Sequence, residues 1–314
     1  MKISKIPGLG RFGVFIDDLD FENISNEEWM EVGKIHLQSL VTIIRNSNIN
    51  LNQYQDLMDL WGSHQSNAIY NLYNKYQLSG KELFLEYDNP KHQITDTDKE
   101  YIKSIMNMMA DKYVLRVSGK KDNEGNPIGM FAEGELLWHS NESGNVSFAP
   151  GVSLLGAENM KNSSTGFATT VDWYESQSET FRSELDEMII VHKFTPGRIN
   201  PGLNTQQDHV MYRNMCPEDG VEIPLVRQSP GGLTGIHYSQ NTISHIKGLT
   251  QSESNKIFKL IEQGIFNEDN VYDHWYKSNS DLCIFDNSIT QHRRLGDTTN
   301  RLAYRIQFNY DNLI

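Results

Sequence analysis

This sequence has few cysteines, no long apolar run and no excess of basic residues. Its 314 residues include only Cys216 and Cys283, which lack metal-site spacing, so a reducing cytoplasm is expected. No stretch approaches the roughly 18 apolar residues of a membrane span, and the N-terminus has no apolar signal segment. The net charge of −13 argues against a nucleic-acid partner, because neutralising phosphates requires a basic face. These absences predict a cytoplasmic globular protein that still has room for a local basic pocket binding a small anion.

The first 65 residues predict the order β-α-β-α. SNEEWMEVGKIHLQSL begins with Ser25 as an N-cap and predicts a helix, and NLNQYQDLMDLWGSH predicts a second helix that ends at Gly62. Residues 66–130 are more polar, with a helix expected from about Asp96, and are interpreted as a lid or insert on a single domain spanning 1–314.

After residue 130 the sequence consists mainly of short apolar segments separated by turn-forming residues, a pattern that predicts strands. GELLWHS, GVSLLGAEN, DLCIFDN and RLAYRIQFNY are examples, and two helices are expected at 174–188 and 250–266. Strands at this spacing predict a mainly-β sandwich or jelly-roll barrel. A second lid loop is expected at 196–222, because loops over a rigid barrel usually set specificity.

Two of the ten histidines lie where a metal site is plausible, whereas His36 and His192, in a helix and an apolar strand pattern, are interpreted as structural. His139 ends an apolar strand, and residues i and i+2 of an extended chain project to the same side. His292 follows a distant strand and can complete the site. Two histidines and a carboxylate form the facial triad of non-haem Fe(II) oxygenases, which leaves positions open for O2 and a co-substrate. The third position here holds Asn141, so the His-x-Asn pattern alone is a weak signal.

Arg301 and Arg305 follow His292 within the apolar segment RLAYRIQF. Residues four apart on an extended strand share a face, so both guanidiniums can point into one cavity. A buried arginine recognises a carboxylate through two parallel hydrogen bonds. A pair of surface arginines on an edge strand is the alternative, and the flanking apolar residues favour the cavity.

Together these segments resemble the TauD/TfdA family of Fe(II)- and 2-oxoglutarate-dependent dioxygenases over most of the chain. LLWHSN is similar to the family's Trp-His-Thr-Asp motif, SSTGFAT to its threonine-bearing turn, IPLVRQSPGG to a hairpin, and DLCIFDNSITQHRR and RLAYR to its C-terminal motifs. The resemblance implies a double-stranded β-helix, a jelly-roll and cupin-like core with helices packed outside. It also implies that Fe(II), 2-oxoglutarate and O2 oxidise, by hydroxylation, a small molecule through a ferryl intermediate. The implied site residues are His139, Asn141 and His292 for Fe(II), Arg301 and Thr165 for 2-oxoglutarate, and Arg305 for the substrate.

Asn141 departs from the family's pattern, because an amide oxygen is neutral and binds Fe(II) more weakly than a carboxylate. In one interpretation Asn141, or water, completes an oxygenase site, while Glu142 points to the opposite side unless the strand breaks. In a second, a halide takes the third position, as in non-haem iron halogenases, although asparagine would crowd it. In a third, the protein only binds a ligand. Oxygenation is favoured because His292, Arg301 and Thr165 are retained.

The sequence contains few indications of the substrate's identity. Glu135 lies four residues before His139, where sulfonate-binding members of the family carry an uncharged polar residue. Together with Arg305 this acid suggests a zwitterion such as an amino acid; an exposed glutamate at a strand edge is the alternative. The MNMM run at 106–109 fits either a homo-oligomer face or the core, so the oligomeric state stays open.

Overall fold

The computed structural model describes residues 1–65, 72, 75–78, 86–111, 113–132, 135–145, 148–193 and 217–314. The described α-helices are α1 (Asn26–Ser39), α2 (Leu51–Trp61), α3 (Asp96–Met106), α4 (Val171–Ser176), α5 (Glu179–Asp186) and α6 (Gln251–Ile265). Ser25, Asn50 and Thr250 each form a capping box, which explains why α1, α2 and α6 begin where the sequence predicted. The single helix expected at 174–188 is wrong. Ser178 is extended and caps α5, so the chain forms two helices there.

The strands carry most of the fold. They are β1 (Lys2–Lys5), β2 (Val14–Asp17), β3 (Val41–Ile44), β4 (His64–Gln65), β5 (Met109–Asp111), β6 (Val114–Ser118), β7 (Leu136–His139), β8 (Gly151–Glu158), β9 (Ser163–Thr169), β10 (Ile189–His192), β11 (Val221–Pro224), β12 (Val226–Gln228), β13 (Thr234–Ile236), β14 (Ile243–Ile246), β15 (Val271–Trp275), β16 (Leu282–Asp286), β17 (Thr290–Gly296) and β18 (Leu302–Phe308).

Two sheets packed face to face form the core. Among the described strands the larger sheet runs β1-β2-β3-β16-β8-β18-β6-β5, with β4 against β18, and the smaller runs β15-β9-β17-β7. Their inner faces meet in an apolar cluster, where the rings of Phe285 on β16 and Phe167 on β9 lie 5.3 Å apart. The fold is therefore mainly β, a double-stranded β-helix with flanking helices, as the sequence predicted.

Helices α1 and α2 cover the outer face of the larger sheet. Trp29 and Trp61 stack with ring centroids 4.9 Å apart and pack with Ile284 and Phe308 of that sheet. Helix α6 packs in a separate cluster with the sheet β11-β10-β14. Because these helices lie outside, the interior between the two main sheets is left to the residues discussed below.

The segment 66–130, interpreted from the sequence as a lid or insert, contributes β5 and β6 to the edge of the larger sheet. Met108 and Met109 of the MNMM run are buried in the core.

Residues 196–216, most of the second expected lid loop, lie outside the described residues, as does Cys216. Cys283 is a buried free thiol. None of the described helices is long and apolar enough to cross a membrane.

Candidate active site

Two histidines that are distant in sequence face each other between the main sheets. Strands β7 and β17 pair antiparallel with His139 opposite His292, and the ring centroids lie 4.0 Å apart. Both side chains are buried and line one cavity. The structure thus brings together the two residues that the sequence singled out as metal ligands.

Hydrogen bonding and burial leave both imidazoles neutral. Nδ1 of His139 donates to the carbonyl oxygen of Leu137 over 2.7 Å, so Nε2 keeps its lone pair. Burial lowers the pKa of His139 to about 4, with the charges of Arg305 and Arg294 acting in the same direction. Burial also lowers the pKa of His292 well below its ordinary value, and His139 and Arg305 add to the effect. Two neutral imidazoles at physiological pH are suitable donors for a metal ion.

Asn141 is the third polar side chain beside the pair. Strand β7 ends at His139, and the following turn is held by Asn287, whose side chain accepts from the Asn141 amide (2.8 Å) and donates to its carbonyl (3.0 Å). The Asn141 side chain lines the cavity together with His139, and its Nδ2 is buried without a hydrogen-bond partner. An amide with unused hydrogen-bonding capacity, next to two neutral imidazoles, fits a neutral third ligand.

Glu142 does not join the histidines. Its φ of 65° is left-handed, so it does not continue the alternation of β7. Its side chain accepts a hydrogen bond from Gln307, and burial raises its pKa to about 7, an effect that Arg305 and Gln307 oppose. Within the described ranges, no group of three or more His, Cys, Asp or Glu residues could hold a metal ion. The structure therefore sets an amide, and not an acid, beside the histidine pair.

The cavity is small, with about 40 Å³ open to the centre of a water-sized sphere. Apolar residues of both sheets form its walls, and guanidinium groups supply its charge. Its described lining residues are Val117, Phe131, Leu136, His139, Asn141, Val152, Leu154, Thr165, Phe285, His292, Arg293, Arg294, Arg301 and Arg305. No acid is among these described residues, so the cavity favours an anionic ligand.

Arg301 is buried without an acid to neutralise it. It is 2% exposed, its Nε has no hydrogen-bond partner, and no described carboxylate lies within ion-pair distance. Its guanidinium carbon lies 5.8 Å from the ring centroid of Tyr276, whose hydroxyl is 2.9 Å from Oγ1 of Thr165. Burial lowers the pKa of Arg301, and Tyr276 opposes that shift. A buried cation with two nearby hydroxyls is an arrangement that binds a carboxylate.

Two further arginines lie close to the histidine pair. Arg305 lowers the pKa of both histidines, and Arg294 lowers that of His139. Nη1 of Arg294 donates to the carbonyl oxygen of Phe131 over 2.7 Å. Sequence reasoning missed Arg294, although its position two residues after His292 on one strand puts both on the same face. Tyr276 was also missed, and no pattern in the sequence indicates it.

Three of the sequence-based assignments concern residues away from this cavity. Glu135 is exposed just before β7 and does not line the cavity, so the structure does not bring it to Arg305. His36 is buried in α1, with its ring nitrogens 3.2 Å from Thr42 Oγ1 and 2.9 Å from Tyr310 Oη. His192 is likewise buried, as a strand residue of β10.

Comparison with known proteins identifies the family. The family model described as "Taurine catabolism dioxygenase TauD, TfdA family" matches residues 5–307. Among solved structures, the chain is similar to AAD-2 in complex with Mn(II) and N-oxalylglycine, with a TM-score of 0.68, 17% identity, and coverage of 98% of this chain and 96% of that one. A putative α-ketoglutarate-dependent taurine dioxygenase from Burkholderia xenovorans follows at TM-score 0.63, 17% identity, and coverage of 98% and 92%.

A putative α-ketoglutarate-dependent 2,4-D dioxygenase from the same organism has a TM-score of 0.62, 15% identity, and coverage of 98% and 96%. No curated protein matches the sequence significantly. At such identities the structural likeness establishes the fold alone, whereas the family match spans nearly the whole chain and confirms the resemblance. The chain therefore belongs to the TauD/TfdA family of dioxygenases, which use Fe(II), 2-oxoglutarate and O2.

Proposed function

We propose that this protein holds Fe(II) through His139, His292 and the side-chain oxygen of Asn141, and that it hydroxylates a small polar substrate. The observation that carries the proposal is the pairing of His139 with His292 across β7 and β17, beside a cavity lined by arginines. Bound Fe(II) would supply the redox chemistry with O2 and 2-oxoglutarate.

The chain's own residues would prepare the metal ligands. The Leu137 carbonyl fixes the tautomer of His139, so that Nε2 is presented to the metal. Asn287 hydrogen bonds to both the backbone N–H and the backbone carbonyl of Asn141. These bonds fix the backbone position from which the Asn141 side chain extends. These contacts reduce the reorganisation that metal binding requires.

Arg301 and Thr165 would bind the distal carboxylate of 2-oxoglutarate. Arg301 is 2% exposed, and in so dry a setting its attraction for a carboxylate is much stronger than in water. Tyr276 shields the guanidinium from one side and orients the Thr165 hydroxyl. Arg305 is close enough to both histidines to lower their pKa, so it would hold an anionic group of the substrate near the metal.

The position of Asn141 favours oxygenation over halogenation. Its side chain lines the cavity beside His139, so it fills space that a metal-bound halide would need. Glu142 is engaged by Gln307 instead of the histidines. The proposed third ligand is therefore the neutral amide.

The test is release of succinate from 2-oxoglutarate with Fe(II) under air, combined with metal analysis. His139→Ala and His292→Ala should lose bound metal and succinate release. His245→Ala is the matched control, since His245 is half-buried on β14, bonded to Ser244 and outside the cavity, and it should retain both. Native protein without metal or turnover under any condition would refute the proposal and leave a ligand-binding protein.

Asn141→Asp tests the nature of the third ligand. It should hold Fe(II) more tightly and still support hydroxylation, because a carboxylate neutralises part of the metal charge. If native protein chlorinates a substrate in the presence of chloride and Asn141→Asp hydroxylates it instead, the halogenase interpretation replaces ours.

A further inference from the structure

Three acceptor oxygens in the region of Arg305 are buried without hydrogen-bond partners, on side chains that are not among the described residues lining the cavity. They are Oε2 of Glu142, Oε1 of Gln307 and Oε1 of Gln65. Gln307 lies opposite Gln65 in the β18–β4 pair, and the Gln307 side chain hydrogen bonds to Glu142. The three side chains are therefore neighbours, and each leaves an acceptor unused.

The strand register places this cluster on the cavity side of the larger sheet. Across the β18–β8 pair, Gln307 lies opposite Val152, and Arg305 lies opposite Leu154. Val152 and Leu154 both line the cavity, and directly opposed residues of a sheet project from the same face. Gln307 therefore faces the interior beside Arg305, and Glu142 reaches the same region from the turn after β7.

The three acceptor oxygens, one of them on a carboxyl group, are best satisfied by a hydrogen-bond donor with a positive charge. Buried acceptors without partners are rare, and a buried carboxylate strongly favours a compensating cation. An ammonium group has three donors and no acceptor, so it can satisfy all three oxygens at once. A water molecule offers only two donors and no charge, and Ca²⁺ takes six to eight oxygen ligands, more than this cluster supplies.

We propose that the substrate is a zwitterion, an amino acid whose ammonium group binds Glu142, Gln307 and Gln65 while its carboxylate or other anionic group binds Arg305. Arg305 and Gln307 are two residues apart on one face of β18, roughly 7 Å along the strand. Long side chains at that spacing can grip the two ends of a short zwitterion. This proposal rests on the proposed function, because it takes Arg305 to face the substrate.

The probes are a panel of α- and ω-amino acids, each with its desamino acid and its decarboxylated amine. Binding is measured by calorimetry on protein loaded with Mn(II) and N-oxalylglycine, unreactive substitutes for Fe(II) and 2-oxoglutarate. At least one amino acid should bind, and its desamino acid should bind about 10- to 100-fold more weakly, the loss expected for a charge-assisted contact. No binder in the panel, or equal affinity for an amino acid and its desamino acid, would overturn the proposal.

Variants locate the ammonium site. Glu142→Gln should weaken binding of the amino acid about 10- to 100-fold and leave the desamino acid unchanged, so that native selectivity disappears. Glu142→Asp keeps the charge and should retain part of the selectivity, which guards against a folding defect. Glu184→Gln, at an exposed position of α5, is the control for the chemical change and should behave as native protein. Equal weakening of both ligands by Glu142→Gln would show that Glu142 has only a structural role.

Two further outcomes distinguish this proposal from recognition of the ammonium by Glu135 and from failure of the proposed function. If Glu135→Gln, and not Glu142→Gln, removes the selectivity, the exposed acid recognises the ammonium and our assignment is wrong. Binding of N-oxalylglycine by native protein and by Glu142→Gln shows that the co-substrate site is intact, so lost selectivity then concerns the substrate alone. Failure of native protein to bind N-oxalylglycine refutes the proposed function and this inference with it.

Discussion

Replacing Arg301 by methionine should stabilise the ligand-free protein and abolish its further stabilisation by a co-substrate analogue. Arg301 is 2% exposed and has no ion-pair partner among the described residues, so its charge is buried without compensation. Removing one buried, uncompensated charge relieves a desolvation penalty, whereas most substitutions of buried residues destabilise. The opposite signs of the two effects make the experiment diagnostic.

The magnitude follows from the surroundings of Arg301. Burying a guanidinium costs several kcal/mol, and contact with the Tyr276 ring, 5.8 Å away, offsets about 0.5–2 kcal/mol of that. We expect a net gain of ~2 kcal/mol for Arg301→Met. With ~2.1 cal/mol/K of unfolding entropy per residue, the 314-residue chain has ~660 cal/mol/K, so Tm should rise by about 3 °C. N-oxalylglycine at a hundred times its Kd adds about 2.7 kcal/mol, or about 4 °C, to native protein only.

The assay is thermal unfolding of both proteins, with and without Mn(II) and N-oxalylglycine. Arg293→Met is the matched control: Arg293 also lines the cavity, but it pairs with Asp273 (3.0 and 2.6 Å) and lies 4.4 Å over the ring of Trp138. Because Asp273 compensates the charge of Arg293, loss of this guanidinium should lower Tm by about 1–2 °C. It should leave the shift in Tm caused by N-oxalylglycine unchanged. An Arg301→Met protein that is less stable than native, yet retains the full ligand shift, would refute the reasoning.

Three further predictions concern the groups around the histidine pair. Thr165→Val removes the hydroxyl 2.9 Å from Tyr276 Oη and should raise the KM for 2-oxoglutarate about fivefold, for a loss of ~1 kcal/mol; an unchanged KM would exclude this hydroxyl from co-substrate binding. Asn287→Ala releases the peptide groups of Asn141 and should weaken Mn(II) binding about tenfold by calorimetry; native affinity would show that the clamp has no role in metal binding. Burial raises the pKa of Asp286 from 3.8 to about 7, so its ionisation is opposed in the folded state and stability falls as pH rises from 4 to 7. In urea unfolding, Asp286→Asn should be up to about 4 kcal/mol more stable than native protein at pH 8 and equal to it at pH 4, and the same difference at both pH values would contradict this account.

Local signals in the sequence predicted the elements of the fold well. Ser25, Asn50 and Thr250 are followed three residues later by Glu or Gln, and each pair forms the capping box that starts a helix. The helix at 174–188 was misjudged, because apolar spacing continues across Ser178 while its side chain caps a new helix. Sheet order, by contrast, depends on contacts between distant segments, and only the family resemblance anticipated it.

The candidate site, like the fold, could be predicted only in part from the sequence. The alternation of side chains along a strand predicted His139 and Asn141 on one side, and the structure places both at the cavity. The alternation does not extend to Glu142, because β7 ends at His139 and Glu142 has a left-handed φ. Such a break was allowed for by the sequence-based interpretation. The polar, turn-forming character of NESG indicated a break in the strand but not the direction of the acid. Glu135 is exposed just before β7, which agrees with the alternative interpretation of an exposed glutamate. Spacing in the sequence does not show which of these residues are exposed.

The neutral side chain of Asn141 and the arginines of the cavity together predict that metal binding at the proposed site depends on anionic ligands. A metal dication held by two imidazoles and an amide keeps its full charge, and Arg301 and Arg305 line the same cavity without a described acid among its lining residues. Like charges at such distances repel strongly in a dry interior, so the occupied metal site is favourable only with anions beside it. A dicarboxylate would supply two negative charges, one at the proposed metal site and one at Arg301. Glu142, buried near Arg305 but turned toward Gln307, would offset part of the remaining charge when ionised, and Asn141 would remain the proposed metal ligand.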